Sequence, residues 1–270
     1  MKTLYFITLC SLLGGCGGAA TQTQDSQKSI PIYNQAYQEN GAPDTIAEIL
    51  HEARHAYVLV DPFEENVTAH IASIRANDNE VAGYISAGTG EKWRDDFDQL
   101  KPYLTSKSWP EWPDEFFVSE VQTGILPVMK KRIDKMAAWG LDWVEFDNMD
   151  WLDEENRKKY SLNATPSEAT SYINALCTYT HAKGMKCMAK NTVEGFETFD
   201  GVLYESYDTN KDWWDHAGTQ EFLKAGKLVI INHYHESDCD AVYAEYKALY
   251  HSDAISFICE DITQLKYRHY

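Results

Sequence analysis

Several signatures of cofactor chemistry are missing from this sequence. No GxGxxG turn and no GxxxxGK[ST] loop occurs, which argues against a dinucleotide or a nucleoside triphosphate as cofactor. No GxSxG elbow occurs, so the serine nucleophile of an α/β-hydrolase is not indicated. CxxC pairs and the Cys/His spacings of zinc sites are also missing. We therefore expect no organic cofactor and no resident metal.

Positively charged residues are scarce. The 42 acidic residues outnumber the 24 lysines and arginines, which gives a formal net charge of -18. Nucleic acid is bound through its phosphates by lysine and arginine, so this balance argues against nucleic acid as a partner. It is compatible with a neutral or cationic ligand, although an acidic surface also serves solubility alone.

The apolar run at residues 4–13 is too short to span a membrane as a stable helix. Lys2 precedes it and small residues follow it, a pattern typical of an export signal. The sequence LGGC, which ends at Cys16, resembles a bacterial lipoprotein box, in which the cysteine is lipidated and becomes the mature N-terminus. The alternative is an ordinary cleaved signal with an incidental cysteine. Gly17 does not resemble an inner-membrane retention signal, which favours the outer membrane or the cell surface.

We expect three segments along the chain. Residues 1–15 form the signal peptide, and residues 16–30 carry the lipidated Cys16 and a polar, flexible tether. Residues 31–270 form one folded domain, which we expect to be monomeric. Its even number of cysteines, in an oxidising compartment, favours disulfide bonds. These cysteines are Cys177, Cys187, Cys239 and Cys259.

Short apolar runs alternate with amphipathic helical stretches through the folded domain. The predicted strands are 56–61, 81–86, 116–121, 142–147, 186–191, 201–206, 228–234 and 254–260. Buried strands with helical crossovers indicate a parallel sheet, and eight is the number that closes a (β/α)8 TIM barrel. The fold class is therefore α/β, with an irregular segment at 109–115 over one mouth of the barrel.

Polar residues lie at or beside the carboxyl ends of these predicted strands. They are Asp61, Ser86, Asp147, Asn191, Glu205, His233 and Glu260. The carboxyl ends of barrel strands converge on one face, where the active sites of this fold are built. We therefore expect the functional site on that face.

A cluster of carboxylates on that face suits two chemistries. Glycoside hydrolysis needs one acid to protonate the leaving oxygen and another as nucleophile or base. A divalent-metal site would use the same oxygen ligands, which leaves a metal-dependent hydrolase as an alternative. The 8 tryptophans and 17 tyrosines favour the first chemistry, because sugar rings stack on aromatic faces. Trp93, Trp109 and Trp112 are among those near the predicted strand ends or in the loops after them.

Seven sequence blocks carry a family resemblance. They are VDPFEE (60–65), GYISAGTGEKWRDD (83–96), WPDE (112–115), MKKRIDKMAAWGLDWVEFDNMD (129–150), AKN (189–191), LYES (203–206) and AGKLVI (225–230). In this order they resemble glycoside hydrolase family 114, the endo-α-1,4-polygalactosaminidase-like (β/α)8 proteins. The resemblance covers nearly the whole folded domain.

The resemblance implies roles for individual residues. Asp147 matches the family's first catalytic carboxylate and Glu205 the second, which we interpret as nucleophile and general acid/base of a retaining mechanism. An inverting mechanism would use the same pair at a larger separation. The residues that we expect to bind substrate are Asp61, Tyr84, Ser86, Glu145, Asn148, Asp150, Lys190, Asn191, His233 and Tyr234. The resemblance also pairs Cys239 with Cys259 and, more loosely, Cys177 with Cys187.

The function that this resemblance implies is endo-acting hydrolysis of an α-1,4-linked, galactosamine-containing exopolysaccharide, and the N-terminal sequence implies that the enzyme is an exported, surface-anchored lipoprotein. The expected partner is a cationic or neutral amino-sugar polysaccharide, and the membrane is contacted through the lipid anchor only. A partly deacetylated galactosamine polymer is cationic, so a site rich in carboxylates would attract it. The alternative from another class is a non-catalytic polysaccharide-binding lipoprotein on the same barrel.

Overall fold

The computed structural model describes residues 28–37, 43–119, 124–149, 154–207 and 214–270. Their strands are β1 (Ile32–Asn34), β2 (Tyr57–Val60), β3 (Glu80–Ser86), β4 (Thr89–Glu91), β5 (Leu104–Ser108), β6 (Glu115–Val118), β7 (Trp143–Asp147), β8 (Lys186–Lys190), β9 (Gly201–Tyr207), β10 (Leu228–Glu236), β11 (Ile255–Asp261) and β12 (Lys266–His269). Their helices are α1 (Ile46–Glu52), α2 (Ile71–Arg75), α3 (Phe97–Leu100), α4 (Ile125–Trp139), α5 (Glu154–Lys159), α6 (Pro166–Ala182), α7 (His216–Lys224) and α8 (Cys239–Tyr250). The predicted signal peptide, Cys16 and the tether up to residue 27 lie outside the described residues.

Eight parallel strands form the main sheet, in the order β1-β2-β3-β7-β8-β9-β10-β11, and β12 runs antiparallel to β11 at its end. The sheet nearly closes on itself. The hydroxyl of Ser256 in β11 accepts from the backbone nitrogen of Ile30 at 3.0 Å, and His269 in β12 donates through Nδ1 to the carbonyl oxygen of Ile32 at 2.6 Å. The prediction of an α/β fold with a single (β/α)8 barrel is confirmed.

One of the eight predicted barrel strands is wrong, and one barrel strand was not predicted. The predicted strand 116–121 overlaps β6, which belongs to a separate antiparallel sheet of order β4-β6-β5, named here the side sheet. An apolar run such as Phe116-Phe117-Val118 is buried in either setting, so its composition does not reveal the sheet it joins. β1 was missed because it has only three residues and directly follows the polar tether.

Strand alternation divides the apolar core in two. Tyr57 and Leu59 of β2 pack inside the barrel, whereas Val58 and Val60 pack between the sheet and the helices. The same alternation operates in β7, where Phe146 lies in the outer core. Asp147, like the other odd-numbered residues of β7, therefore faces the barrel interior.

The helices of the outer layer are fixed by caps and by disulfide bonds. Thr165 and Glu168 form a capping box at the start of α6, and Gly184 follows its end with a left-handed φ of 80°. Disulfide bonds join α6 to β8 and α8 to β11 through Cys177–Cys187 and Cys239–Cys259. Among the helices of the described residues, none combines the length and the apolar character needed to cross a bilayer.

Candidate active site

The carboxyl ends of the parallel strands open onto a cavity of about 1070 Å³. Asp147 at the end of β7, Lys190 at the end of β8 and Glu205 in β9 all line this cavity. Neighbouring strands β7, β8 and β9 are paired in parallel, so their ends bring these three side chains together. The cavity is slightly larger than the range of about 300–1,000 Å³ that is usual for small-molecule sites.

Asp147 is held by three donors. The Tyr84 hydroxyl donates to Oδ2 at 3.1 Å, and the Asn148 backbone nitrogen donates to Oδ1 at 2.7 Å. The Lys190 ammonium lies 3.0 Å from Oδ2. The Asp147 side chain is 17% exposed, so it is oriented by the protein and still reachable from the cavity.

Glu205 is held in a similar way. Tyr234 donates to Oε1 at 2.8 Å, Asn191 donates to Oε2 at 2.9 Å, and Lys190 lies 3.0 Å from Oε2. Asn191 Oδ1 also accepts from the Glu205 backbone nitrogen at 2.8 Å. The side-chain amide of Asn191 therefore binds both the carboxylate and the backbone of Glu205. Asn191 has a left-handed φ of 56°, a conformation that asparagine tolerates better than most residues.

Lys190 bridges the two carboxylates. Its side chain is 5% exposed, and Nζ also lies 4.0 Å from the ring centre of Tyr37. Burial acts to lower the pKa of Lys190, but Asp147, Glu205 and Glu145 outweigh it and raise the pKa above its ordinary value. Lys190 is therefore charged at neutral pH. Because each carboxylate oxygen lies 3.0 Å from the same nitrogen, the two oxygens are at most twice that distance apart.

Glu145 lies deeper in the barrel and is fully buried. It accepts hydrogen bonds from the hydroxyls of Tyr37 and Tyr57. Burial raises its pKa to about 7, although Lys190 and the Tyr37 hydroxyl act to lower it. Glu145 is therefore partly protonated near neutral pH, and it does not line the cavity.

A second buried carboxyl supports Asp147 through Asn148. Asn148 Nδ2 donates to Glu115 Oε1 at 2.6 Å and to Ser86 Oγ at 2.9 Å, and its Oδ1 accepts from Trp109 Nε1 at 2.9 Å. Burial raises the pKa of Glu115 to about 7, against the lowering effect of its hydrogen bond from Thr89. The side sheet thereby fixes Asn148, whose backbone nitrogen donates to Asp147.

Two arginines form a separate buried network at the same mouth of the barrel, named here the arginine network. Arg94 contacts Glu91 and Asp61, each at 2.7 Å. Arg132 contacts Asp96 at 2.7 Å and 2.9 Å and lies 3.5 Å from Glu91. Asp61 thus faces a guanidinium of its own chain.

A comparison with models of known protein families identifies the family of the chain. The model of glycoside hydrolase family GH114 matches residues 20–269, which include the whole barrel. The chain belongs to glycoside hydrolase family GH114. It is therefore a glycoside hydrolase.

Solved structures share the fold of this GH114 chain. Ega3 of Aspergillus fumigatus, in a crystal structure with galactosamine, has a TM-score of 0.65 at 20% identity, over 91% of this chain and 95% of that one. The glycoside hydrolase domain of PelA from Pseudomonas aeruginosa has a TM-score of 0.61 at 12% identity, over 87% of this chain and 94% of that one. Among curated proteins, no sequence matches this chain.

Most of the site residues predicted from the sequence meet at the cavity of this GH114 chain. Those that line it are Asp61, Tyr84, Asp147, Asn148, Lys190, Asn191, Glu205 and Tyr234. Glu145, Ser86 and His233 do not line it. The predicted site residue Asp150 and the predicted lipidation residue Cys16 lie outside the described residues.

Ser86 and His233 were expected to contact substrate, and the structure places both elsewhere. His233 packs against Tyr246 of α8 and Phe257 of β11, because its position in β10 faces the helices while Tyr234 faces the barrel. Ser86 is fully buried, and its hydroxyl contacts Thr89 and Asn148. Ser86 therefore orients Asn148.

Sequence reasoning missed several residues of the site. Glu115, Glu91, Arg94 and Tyr37 all line the cavity of this glycoside hydrolase. The first three lie within the blocks WPDE and GYISAGTGEKWRDD, so the signal for them was present in the sequence. Tyr37 follows a strand that was not recognised, and no pattern around it points to the site.

Proposed function

We propose that this GH114 enzyme is an endo-acting hydrolase of α-1,4-linked, galactosamine-containing polysaccharide. Asp147 acts as nucleophile and Glu205 as general acid and base. The observation that carries the proposal is the pair of carboxylates, each 3.0 Å from Lys190, at the carboxyl end of a barrel sheet. The galactosamine complex of Ega3, which has the same fold, supports an amino sugar as the ligand class.

The reaction follows from the positions of the two carboxyl groups. Glu205 gives a proton to the glycosidic oxygen as its bond to the anomeric carbon breaks, and a carboxylate oxygen of Asp147 attacks that carbon to form an ester. Glu205, now ionised, takes a proton from a water molecule that attacks the same carbon. The ester breaks, the sugar is released, and Asp147 returns to the carboxylate form.

The separation of the carboxylates is compatible with a retaining mechanism. The two oxygens that contact Lys190 are at most twice 3.0 Å apart. This upper limit includes the separation of about 5–5.5 Å between the carboxyl groups of retaining enzymes, whereas inverting enzymes need about 6.5–9.5 Å to accommodate a water molecule.

The charge of the cavity supports a cationic polymer as substrate. The carboxylates of the described lining outnumber its cations: Asp61, Glu64, Glu91, Glu111, Glu115, Asp147, Glu194, Glu205 and Asp215 face only Arg94 and Lys190. Both cations are already paired with carboxylates of the protein. The remaining negative charge attracts the ammonium groups of a deacetylated amino-sugar chain. The volume of the cavity supports a substrate of several sugar units and hence internal cleavage.

The metal-dependent alternative has less support from the geometry. Lys190 places a protein cation between Asp147 and Glu205, where a divalent ion would otherwise be held. Elsewhere in the described part of the chain, His181, Cys187 and Asp200 lie close enough to share an ion. Cys187 is bonded to Cys177, so it has no thiolate to offer.

A reducing-end assay tests the proposal. The purified full-length chain is incubated with partly deacetylated α-1,4-galactosamine polymer, beside Asp147→Asn and Glu205→Gln variants and a sample with EDTA. We expect new reducing ends and shorter fragments from the wild type with or without EDTA, and none from either variant. The exposed acid Glu65 offers a control, since we expect Glu65→Gln to keep the wild-type rate.

The other outcomes of this assay separate the alternatives. Binding of the polymer without new reducing ends would refute hydrolysis and support the polysaccharide-binding alternative. Activity that EDTA abolishes would support a metal-dependent hydrolase. Turnover by the Asp147→Asn variant would remove Asp147 from the role of nucleophile.

The cellular location is a further part of the proposal. We propose that the protein is exported and anchored to the outer membrane or cell surface through a lipid on Cys16, on the strength of the N-terminal charge, apolar run and LGGC sequence. Metabolic labelling with palmitate in a bacterial host tests this. We expect label in the membrane fraction for the wild type and for Cys10→Ala, and no label for Cys16→Ala. An unlabelled wild type would contradict the anchor.

A further inference from the structure

Two tryptophans stand exposed at the rim of the cavity. Trp93 is 52% exposed and Trp112 is 41% exposed, and both line the cavity. Their ring centres lie 6.5 Å apart with 52° between the ring planes. They therefore present two neighbouring indole surfaces to whatever occupies this side of the cavity.

The side sheet holds the two indoles in place. Trp93 follows β4 and Trp112 precedes β6, and these strands pair antiparallel, so both residues lie at the same end of the sheet. The Lys92 backbone nitrogen donates to the Asp114 carbonyl oxygen at 3.0 Å, and their side chains form an ion pair at 2.9 Å. The ion pair is exposed and contributes little, so the backbone pairing fixes the arrangement.

Exposure of large apolar side chains is unfavourable unless a ligand or partner covers them. Among the described residues, the exposed large hydrophobic side chains are Trp93, Trp112, Leu249, Ile262 and Leu265. Only the two tryptophans of this set line the cavity that contains Asp147 and Glu205. The exposed faces of these two tryptophans therefore belong to the same cavity as the active site.

The neighbouring charge identifies the chemistry of the ligand. Glu111 precedes Trp112, is exposed, and also lines the cavity. An amino sugar presents an apolar C–H face that stacks on an indole, and an ammonium group that is attracted both to the π face and to a carboxylate. A neutral apolar ligand would not use Glu111, and an anionic one would be repelled by it.

We propose that Trp93, Trp112 and Glu111 form an outer subsite that binds one amino sugar of the polymer, away from the bond that is cleaved. This inference rests on the proposed function and deepens it. The catalytic carboxylates lie on β7 and β9, whereas both indoles lie on loops of the side sheet. We infer that a long chain covers both places, whereas a short one that occupies the catalytic carboxylates leaves the indoles uncovered.

Kinetics on substrates of two lengths test the outer subsite. The full-length chain and its Trp93→Ala, Trp112→Ala and double variants are compared on partly deacetylated α-1,4-galactosamine polymer and on galactosamine trisaccharide. We expect the double variant to raise the KM for polymer by about tenfold more than the KM for trisaccharide, because only the polymer loses the stacking contact. Phenylalanine at both positions should restore part of the difference. Ile262→Ala, an equally exposed apolar residue away from the cavity, should leave both constants unchanged.

The outcomes separate this subsite from the hydrolytic function. The ratio of the KM for polymer to the KM for trisaccharide is compared between the double variant and the wild type. If the two ratios agree within about twofold, the subsite is overturned. If the wild type does not hydrolyse the polymer, equilibrium binding to the Asp147→Asn variant decides: weaker binding by about tenfold in the double variant supports the subsite although hydrolysis has failed. Unchanged binding, or no binding of polymer by the wild type, overturns it.

Discussion

Two buried groups of charges lie at the same mouth of the barrel, and they differ in how their charges are used. In the first, which we name the lysine cluster, Lys190 bridges Asp147 and Glu205, whose side chains are 17% and 16% exposed. In the arginine network, Arg132 and Glu91 are each 2% exposed. Both groups border the cavity, the second through Asp61, Glu91 and Arg94, but the side chains of the second are the more deeply buried.

The difference in cations explains the difference in use. Arg94 holds Glu91 through two parallel hydrogen bonds at 2.9 Å and 2.7 Å, a planar fork that fixes both partners. A lysine ammonium is a compact point charge that attracts carboxylates without such a fork. The lysine cluster can therefore balance the charge of two carboxylates while each carboxylate keeps an oxygen that can contact a substrate. The arginine network instead ties loops to α4 through Arg132.

The largest effect is expected from removal of the lysine bridge. Lys190→Met removes the cation that holds Asp147 and Glu205 in position, so the two side chains lose the geometry that attack and proton transfer need. We expect kcat/KM for the polymer to fall by about 1000-fold, as when a charge-stabilising group of an active site is removed. Lys186→Met, at the other end of β8, serves as control and should change kcat/KM by less than about twofold. Wild-type activity in Lys190→Met would remove the lysine cluster from catalysis.

Loss of Arg132 should instead lower the free energy of unfolding. Arg132→Met leaves Asp96 without its guanidinium partner, and breaking a buried pair costs about 3–5 kcal/mol of unfolding free energy. Chemical denaturation measures this. Arg75→Met breaks an exposed pair with Asp142 and should cost less than about 1 kcal/mol. Equal effects of the two substitutions would contradict a structural role for the arginine network.

Glu145 should make stability depend on pH. Burial raises its pKa from 4.5 to about 7, so the folded state holds its proton more tightly than the unfolded state does. The resulting stabilisation is fully present below about pH 4.5 and is lost as the pH rises through about 7. Between pH 4.5 and 8, the unfolding free energy of the wild type should fall by about 3 kcal/mol more than that of Glu145→Gln. Glu65→Gln, an exposed acid, should follow the wild type, and parallel curves for Glu145→Gln would refute the shift.

The smallest effect is expected from a single hydrogen bond to Asp147. Tyr84→Phe removes the hydroxyl that donates to Oδ2 at 3.1 Å, and one such bond contributes about 1 kcal/mol. We expect kcat/KM to fall by about fivefold with little change in stability. Tyr179→Phe removes a comparable hydroxyl on the outer surface, bonded to Asp134, and should leave kcat/KM unchanged. A larger loss in the control would show that the assay reports folding.

Much of the fold could be predicted because buried parallel strands have a distinctive pattern. The runs that became β7, β9 and β10 are apolar, and each carries a polar residue near its carboxyl end. Their partners in the sheet follow from the order of a (β/α)8 barrel. β1 and β6 could not be assigned in this way, because a three-residue strand has too little pattern and a buried apolar strand looks alike in a barrel and in a side sheet.

The site was predictable at strand ends and much less so away from them. Asp147 and Glu205 stand at positions that the barrel brings together. His233 lies one residue from Tyr234 on the same strand, and only the register of β10 decides which of them faces the cavity. The contact of Glu115 with Asn148 depends on how the side sheet folds over the barrel, which no local pattern encodes.

A trapped intermediate would test the account most directly. A galactosaminyl fluoride needs no acid to release its leaving group, so Glu205→Gln should form the sugar ester but hydrolyse it slowly. The intact protein should then gain the mass of one sugar residue, and peptide mass spectrometry should place that mass on Asp147. A sugar bound to a different residue, or a product of inverted anomeric configuration with no bound sugar, would contradict the assignment of Asp147 and Glu205.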